Sequence, residues 1–217
     1  DNFVYRVSHD LRSPLLSVKG LLALVFVEPG LPRKTEDYLR MADKSINRLD
    51  ETIREILEYS RNSRLTVKIE EFNIRKMTES IFEDLKYLAS PGFSFRLDIQ
   101  GPDEIRSDGY RINTVLRNVI SNAVKYQRKE IMNPMVHVII RHAADEAIIE
   151  VKDNGVGIPE ASIPRVFDMF YRGAGNQVGT GLGLYICKEV LNKLGGLIRI
   201  RSTVNEGTVV FISLPVQ

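Results

Sequence analysis

The chain is short of several residue types, and each shortage removes a class of protein. It has one cysteine, Cys187, among 217 residues, so it can form neither an intramolecular disulfide nor a cysteine metal cluster. It contains no run of about 18 apolar residues, so no segment is predicted to span a membrane. The formal net charge of +2 creates no strong field that would favour binding to nucleic acid.

What remains is an ordinary globular composition, with 43% hydrophobic and 27% charged residues and a length that suits one large domain or two modest ones. The single cysteine and the lack of a signal-peptide pattern favour the cytoplasm for this segment. The chain begins abruptly inside a predicted helix. We therefore expect a segment of a longer protein whose missing part could be a membrane sensor, with no membrane contact from the segment itself.

Two apolar stripes with alternating spacings of three and four residues dominate the first sixty positions, which predicts two helices with heptad seams. The first stripe consists of Val4, Val7, Leu11, Pro14, Val18, Leu21 and Val25. The second consists of Ala42, Ile46, Leu49, Ile53, Ile56 and Ser60. A turn with Pro and Gly at residues 28–33 separates them, so we predict a helical hairpin. Because two helices alone bury such stripes poorly, we expect a homodimer in which two hairpins form a four-helix bundle.

Past residue 63 the pattern changes to short alternating segments that are typical of strands. The predicted strands are residues 66–74, 93–99, 136–142, 147–153, 197–203 and 207–215. The predicted helices are residues 74–88, 112–125 and 181–196, the last ending at a glycine pair. Because helices and strands do not alternate strictly, we predict an α/β sandwich with a mixed or antiparallel sheet. The expected domains are a hairpin at 1–62, a linker at 63–71 and a second domain at 72–217.

Two glycine clusters flank the predicted elements of the second domain. "DNGVGIP" (residues 153–159) follows a strand, and "GTGLGL" (residues 179–184) precedes a helix. A glycine-rich turn at a helix N-terminus offers free backbone N–H groups and the positive end of the helix dipole, which suits phosphate. Neither cluster has the spacing of a Walker loop or of a dinucleotide fold. Taken singly, each cluster is explained equally well by a structural turn.

A third segment, "NVISNAVKY", places Asn118, Asn122 and Lys125 on one helix face, with Tyr126 after them. An asparagine carbonyl is a hard oxygen ligand for Mg²⁺, and a nearby lysine can neutralise phosphate. Taken alone, this segment is better interpreted as a solvated helix face.

The whole set of motifs resembles a known family. In chain order the motifs are "VSHDLRSPLL" around His9, the Asn122 segment, "DNGVGIP", "FDMFYR" (residues 167–172) and "GTGLGL". They are similar to the H, N, G1, F and G2 boxes of the sensor histidine kinases of two-component signalling. The resemblance covers nearly the whole chain. It implies a helical dimerisation and phosphotransfer domain followed by the ATP-binding α/β sandwich that is shared with gyrase.

The resemblance also implies roles in binding ATP and Mg²⁺. Asp153 would accept a hydrogen bond from the adenine amino group, Asn122 would bind Mg²⁺ and Arg172 would approach the terminal phosphate. Residues 173–180 would form a mobile lid. The remaining implied nucleotide contacts are Asn118 assisting the metal, Lys125 on phosphate, Tyr126 over adenine, Gly155 and Gly157 near the base, and Gly179, Thr180, Gly181, Leu182 and Gly183 near the phosphates.

By the same resemblance His9 is the phosphoacceptor and Asp10 its general base or orienting acid. On the heptad His9 occupies the outer f position and Leu16 the next one, which suggests a docking surface for a response regulator. Ser13 stands where many family members have Thr or Asn, so phosphatase activity is left open. His137 and His142 match no motif, and we interpret both as structural.

Three functions remain possible at this point. The first is an ATP-dependent autokinase that passes the phosphoryl group to an aspartate of a response regulator in another chain. The second is a dimeric scaffold that binds nucleotide without transferring phosphate. The third is a plain ATPase that uses its hairpin only to dimerise. The stimulus, the cognate regulator and the choice between transfer within or across the dimer are left open.

Overall fold

The computed structural model describes residues 2–28, 30–128, 130–143, 146–173 and 179–215, with residues 2–11 described by their backbone alone. The chain divides into two compact units, Asp1–Leu65 and Thr66–Gln217. None of the helices in the described ranges is both long and apolar enough to cross a membrane.

The first unit is the predicted helical hairpin. Helix α1 runs over Asn2–Val27 with Pro14 inside it, and helix α2 runs over Arg33–Arg64. An ion pair between Arg12 and Asp50 (Nε to Oδ1, 3.5 Å) joins the two helices. A cation–π contact also joins them, because the Arg40 guanidinium of α2 lies 5.6 Å from the centroid of the Phe26 ring of α1.

Among the described residues, the less exposed side chains of α1 share only Val25 with the predicted seam, and the others lie on a different stripe. The less exposed side chains are Arg12, Leu15, Lys19, Leu22, Val25 and Phe26. In the predicted seam, by contrast, Pro14, Val18 and Leu21 are exposed within one chain. A two-helix hairpin can cover only one face of each helix, so much of the predicted seam stays open in the single chain.

The second unit is an α/β sandwich. In chain order its elements are β1 (Glu70–Asn73), α3 (Ile74–Leu85), β2 (Ser94–Gln100), β3 (Glu104–Ser107), α4 (Gly109–Lys125), β4 (Met135–His142), β5 (Glu146–Asp153), α5 (Gly183–Leu194), β6 (Leu197–Thr203) and β7 (Gly207–Pro215). The main sheet has the strand order β2-β4-β5-β7-β6. Strands β2 and β4 are parallel and the other pairs are antiparallel, which confirms the predicted mixed sheet.

Helices α3, α4 and α5 cover one face of the sheet. Alternate residues of the central strands are fully buried, as Val136, Val138 and Ile140 of β4 show. Helix α4 supplies much of the opposing layer through Ile112, Leu116 and other apolar residues. This packing places the C-terminal end of α4 close to the end of β5 and the start of α5.

The structure differs from the sequence prediction around the linker. Helix α2 continues to Arg64, and the predicted strand at 66–74 shortens to β1, which pairs antiparallel with β3. Glu70 and Glu71 therefore belong to a strand pair instead of a linker, because they lie opposite Ser107 and Arg106. Strand β3 was not predicted, because its four residues are too few to show a period.

Two helix boundaries also differ. Helix α3 ends at Leu85, and a 3-10 turn at Lys86–Leu88 completes the predicted span. Helix α4 begins at Gly109, three residues before the predicted start. The reason for the earlier start is Asp108, whose side chain accepts a hydrogen bond from the Arg111 amide and so caps the helix.

Candidate active site

The last turns of α4 carry the asparagine motif. The Asn118 amide nitrogen donates to the Thr114 carbonyl one turn earlier (3.0 Å). This bond leaves Oδ1 as the available atom of the side chain, and it points toward the start of α5. A Cβ built on Gly183 would lie 2.9 Å from Asn118 Oδ1, so only glycine fits there without a shift. The N-motif helix and the second glycine cluster are therefore in direct contact.

Asn122 lies half-buried on the same helix face. Within the described ranges, its side-chain amide makes no hydrogen bond, so its oxygen is available as a metal ligand. No group of three or more His, Cys, Asp or Glu residues in those ranges could hold a metal ion. A divalent ion at Asn122 would therefore need most of its ligands from a bound phosphate group and water, which fits the coordination habits of Mg²⁺.

Asp153 ends strand β5, and it is half-buried. Its Oδ1 accepts hydrogen bonds from the Gly155 amide (2.8 Å) and the Thr208 amide (3.2 Å). Burial raises the pKa of this carboxyl to about 6, while those two amide hydrogen bonds act in the opposite direction. The second oxygen, Oδ2, has no hydrogen-bond partner in the described part of the chain. An accessible carboxylate oxygen left in this way on a half-buried side chain is suited to an amino group of a ligand.

The glycines after Asp153 let one backbone approach another. A Cβ on Gly155 would collide with the Tyr126 carbonyl oxygen and would stand 2.9 Å from Asp153 Oδ1. A Cβ on Gly157, whose φ is +71°, would collide with the Thr203 carbonyl. A hydrogen bond of Val156 accompanies each close approach. The Val156 amide donates to the Tyr126 carbonyl (3.0 Å), and the Val156 carbonyl accepts from the Asn205 amide (2.9 Å). Both positions therefore require glycine because the loop backbone packs closely against other backbone segments of the protein.

The second glycine cluster turns sharply into α5. Gly179 and Gly181 have φ of +87° and +81°, the left-handed region that favours glycine. The Thr180 hydroxyl accepts from the Leu182 amide (3.2 Å), which closes the turn. Leu182 is buried at the N-cap position, and no side chain caps the helix there. Within the described residues, the N–H groups of Gly183 and Leu184 at the start of α5 are thus available to an anion beside Asn118.

Tyr126 stands between the two glycine clusters. Its carbonyl accepts the Val156 amide, and its hydroxyl lies 3.5 Å from the place where a Cβ of Gly179 would be. Lys125, just before it, is half-buried and ends α4. The structure therefore brings together the N motif and both glycine motifs, which are distant in sequence.

The F motif is seated against the second glycine cluster. A Cβ on Gly181 would lie 2.7 Å from the Phe170 carbonyl carbon and 2.8 Å from the Tyr171 oxygen. Phe170 itself has a φ of +62°, an uncommon conformation for a residue with a side chain. Arg172 follows and is exposed. Most of the predicted lid, residues 174–178, lies outside the described residues.

The H motif lies on α1. The backbone of His9 and Asp10 is helical, and their side chains lie outside the described residues. Ser13 and Leu16 are exposed, as the outer heptad position predicts for Leu16.

Sequence reasoning missed a group of residues that holds the first glycine loop. Asn154 accepts from the Met135 amide at Oδ1 (2.8 Å) and donates to the Asn133 carbonyl (2.8 Å), while its own carbonyl accepts from Arg128 Nε (3.0 Å). An asparagine beside the functional aspartate could have signalled a turn-stabilising side chain. Its partners could not be found without the fold.

The fold and the site together define a nucleotide-binding α/β domain joined to a helical hairpin. Residues 107–217 match the family of histidine kinase-, DNA gyrase B- and HSP90-like ATPases, and residues 1–64 match the His Kinase A (phospho-acceptor) domain. The chain belongs to this family, as the catalytic core of a sensor histidine kinase.

The chain is similar to known kinases along its length. It is 30% identical over 220 residues to the methanogenesis regulatory histidine kinase FilI of Methanothrix harundinacea, which covers 99% of this chain and 24% of that protein. It is 31% identical over 214 residues to the signal transduction histidine-protein kinase ArlS of Staphylococcus aureus, which covers 95% of this chain and 47% of that protein. The chain thus spans less than half the length of these relatives.

Solved structures share the fold. Full-length ShkA in complex with AMPPNP superposes with a TM-score of 0.74 at 21% identity, covering 98% of this chain and 45% of that one. The histidine kinase ThkA in complex with the response regulator protein TrrA has a TM-score of 0.66 at 21% identity, covering 100% of this chain and 61% of that one.

Proposed function

We propose that the chain uses ATP to phosphorylate His9 and then passes the phosphoryl group to an aspartate of a response regulator. The observation that carries this proposal is the meeting of the N motif, Asp153 and the uncapped start of α5 at one place, in a chain that also contains the H motif. The second unit, Thr66–Gln217, would be the catalytic domain, and the hairpin would be the phosphoacceptor and dimerisation domain. ATP as substrate would place this segment in the cytoplasm.

In this proposal each part of the site holds one part of Mg·ATP. The free Oδ2 of Asp153 accepts a hydrogen bond from the adenine amino group, and Tyr126 covers the base. The N–H groups at the start of α5 and the Lys125 ammonium hold phosphate oxygens. Asn122 supplies a protein ligand to Mg²⁺, which arrives with the nucleotide, and Asn118 assists. Residues of the G2 segment shape the turn that presents the helix end.

The chemical step is a phosphoryl transfer to nitrogen. An imidazole nitrogen of His9 uses its lone pair to form the P–N bond as the bond from the γ-phosphorus to the bridging oxygen breaks and ADP leaves. The proton on the other nitrogen is held by Asp10, which orients the ring. Arg172 approaches the terminal phosphate and stabilises its charge. Catalysis is then mainly positioning and charge neutralisation.

The second step moves the phosphoryl group to a partner. A phosphoramidate is reactive, so a regulator aspartate can take the group and restore His9. The exposed Leu16, one heptad beyond His9, offers an apolar contact for that partner. The structure of ThkA with TrrA shows a kinase of this fold bound to a response regulator.

We also propose that the hairpin forms a homodimer. Exposed large apolar side chains continue along both helices, on α1 from Val18 through Leu24 and on α2 at Leu49 and Ile56. A single hairpin cannot cover them, whereas a second copy can, in a four-helix bundle.

The deciding experiment uses γ-labelled ATP and Mg²⁺ followed by a test for acid-labile, base-stable label on the protein. The wild type is expected to be labelled, and His9→Ala and Asn122→Ala are expected not to be. His137→Ala serves as the matched control, because His137 pairs with Asp98 on the sheet (2.7 Å) and should leave labelling intact. Nucleotide binding without label would favour the scaffold, and phosphate release without label would favour the plain ATPase.

A further inference from the structure

The connector between α2 and β1, residues 65–69, is attached to a buried ion pair in the second unit. The Lys68 amide donates to Asp108 Oδ2 (3.0 Å), and Arg111 Nη1 donates to the Thr66 carbonyl (3.3 Å). The apolar side chains of the connector do little to hold it, since Val67 and Ile69 are exposed. These two hydrogen bonds therefore attach the connector to the N-terminal end of α4.

The ion pair itself is almost completely buried. The side chains of Asp108 and Arg111 are each only 4% exposed, and Arg111 Nη1 donates to Asp108 Oδ2. Burial acts against the charged form of Asp108, but the amides of Lys68 and Arg111 and the Arg111 guanidinium outweigh it and lower the pKa of that carboxyl. The carboxylate is thus charged at neutral pH.

Capping alone does not explain this arrangement. One oxygen of Asp108 is enough to cap α4, and it does so by accepting the Arg111 amide (3.0 Å). A neutral asparagine or serine would cap as well without a buried charge. A buried ion pair is in general weak evidence for stability, because desolvation offsets the attraction. The second carboxylate oxygen accepts the Lys68 amide and Arg111 Nη1 donates to the Thr66 carbonyl, so both groups bind the connector, which capping of α4 does not require.

We propose that Asp108 and Arg111 are a positioning pair for autophosphorylation. They anchor the connector to the N-terminal end of α4, the rigid helix whose other end carries Asn118 and Asn122. The anchor shortens the unattached stretch of chain that links the phosphoacceptor hairpin to the nucleotide site. A shorter tether raises the effective concentration of one site at the other and narrows their relative orientations. The proposal rests on the proposed kinase function and adds to it how the two units are coupled.

The test is the double variant Asp108→Asn/Arg111→Met in the full chain. Asparagine still caps α4, methionine keeps the length and helix propensity of arginine, and neither partner leaves an unpaired buried charge. The matched control is Asp103→Asn/Arg75→Met, which removes another ion pair of the same unit (2.7 Å) without touching the connector. Three quantities are measured: the Kd for nucleotide, the rate of labelling at saturating Mg·ATP, and hydrogen exchange of the Lys68 amide.

The double variant is expected to exchange the Lys68 amide faster and to label on the order of tenfold more slowly, with an unchanged nucleotide Kd. The control is expected to match the wild type in all three. Faster exchange with an unchanged labelling rate would overturn the positioning role, and so would a labelling loss matched by the control. If the wild type binds nucleotide but is never labelled, the proposed function fails instead.

A second variant keeps the test decisive if the double variant does not fold. Arg111→Lys retains a positive charge beside Asp108 but loses the planar fork that reaches the Thr66 carbonyl. A smaller fall in labelling rate than in the double variant, again at constant nucleotide Kd, is expected. A labelling rate equal to that of the wild type, together with faster exchange at Lys68, would contradict the proposal.

Discussion

The Val156 amide donates to the Tyr126 carbonyl across 3.0 Å, and this bond joins the end of α4 to the loop that follows β5. The bond forms only because Gly155 carries no side chain between the two backbones. This backbone contact, together with the bond from Arg128 Nε to the Asn154 carbonyl (3.0 Å), fixes the first glycine motif against the end of the N motif.

We predict that Gly155→Ala weakens nucleotide binding strongly. The added methyl would collide with the Tyr126 carbonyl, so the loop must move away from α4 and take Asp153 with it. We expect an affinity loss of at least tenfold and a stability loss of roughly 1–3 kcal/mol, as for overpacking of a dense site. Titration with a nucleotide analogue and thermal unfolding measure the two effects.

Gly173→Ala is the control for the stability effect of this substitution, because among the described residues a Cβ there would meet only Ser162 Oγ, at 4.0 Å. It should leave stability within about 0.5 kcal/mol of the wild type. Equal nucleotide affinity in Gly155→Ala and the wild type would show that the contact with Tyr126 is not required.

A second prediction concerns the charge of Asp153. Its pKa is raised from 3.8 to about 6 by burial, so the folded state binds the proton more tightly than the unfolded chain. The stabilisation of the folded state by this tighter proton binding is fully present below pH 3.8 and is lost as the pH rises through about 6. Above that pH the buried charge destabilises the nucleotide-free protein by about 1–3 kcal/mol, the order of magnitude of this pKa shift.

Asp153→Asn should therefore raise the melting temperature at pH 8 and have little effect near pH 4. The same substitution should abolish binding of the adenine nucleotide. In one orientation of the asparagine side chain, its NH₂ group would face the adenine amino group, and two donors cannot pair. In the other orientation, the NH₂ group would face the amides of Gly155 and Thr208, which would lose their acceptor. Wild-type affinity should also fall as the pH drops through about 6. Asp84→Asn, which alters an exposed ion pair with Arg117, is the control and should show neither effect. A melting temperature for Asp153→Asn that is lower than wild type at pH 8 would contradict the assignment.

The strongest sequence signals were periodic ones. Strands β6 and β7 were predicted with the bounds that the structure shows, since alternation and the turn at Asn205 are both local properties. The predicted end of α5 at a glycine pair is also confirmed, because Gly195 adopts a left-handed conformation at the C-cap. Strand β3 was missed because its pairing with β1 is nonlocal and its four residues show no period.

The site was predictable only in part for the same reason. The motifs name residues such as Asn118 and Asp153, but nothing in their spacing shows that Gly155 packs on Tyr126 or that Gly183 packs on Asn118. Those contacts join segments far apart in sequence, so they follow from the order of the sheet. The structure adds a protein contact at Gly155, and its role beside the base stays a prediction.

A third prediction concerns the ion pair inside the hairpin. Asp50 is only 5% exposed, yet in the part of the chain that the structure describes Asp50 Oδ1 and Arg12 Nε are buried without hydrogen-bond partners. A pair with such incomplete hydrogen bonding offsets little of its desolvation cost. Asp50→Leu would extend the apolar contact between α1 and α2, and both Arg12 and Arg54 can turn to solvent.

We therefore expect Asp50→Leu to be neutral or to stabilise the chain by about 1–2 kcal/mol in chemical unfolding. Asp50→Ala, which leaves a cavity, should be less stable than Asp50→Leu. A loss above about 3 kcal/mol in Asp50→Leu would show that the pair is a net stabilising contact.

The last prediction concerns Pro14, which lies inside α1 five residues after His9. A proline there removes a helical hydrogen bond, and we expect it to bend the helix beside the proposed phosphoacceptor. Pro14→Ala should stabilise α1 and slow autophosphorylation and transfer to the regulator. Gly20→Ala separates the bend from helix stability, because it also favours the helix, its Cβ would meet nothing within 4 Å, and it keeps the proline. If both variants stabilise the chain but only Pro14→Ala slows the two rates, the bend is functional; rates for Pro14→Ala equal to those of the wild type would contradict it.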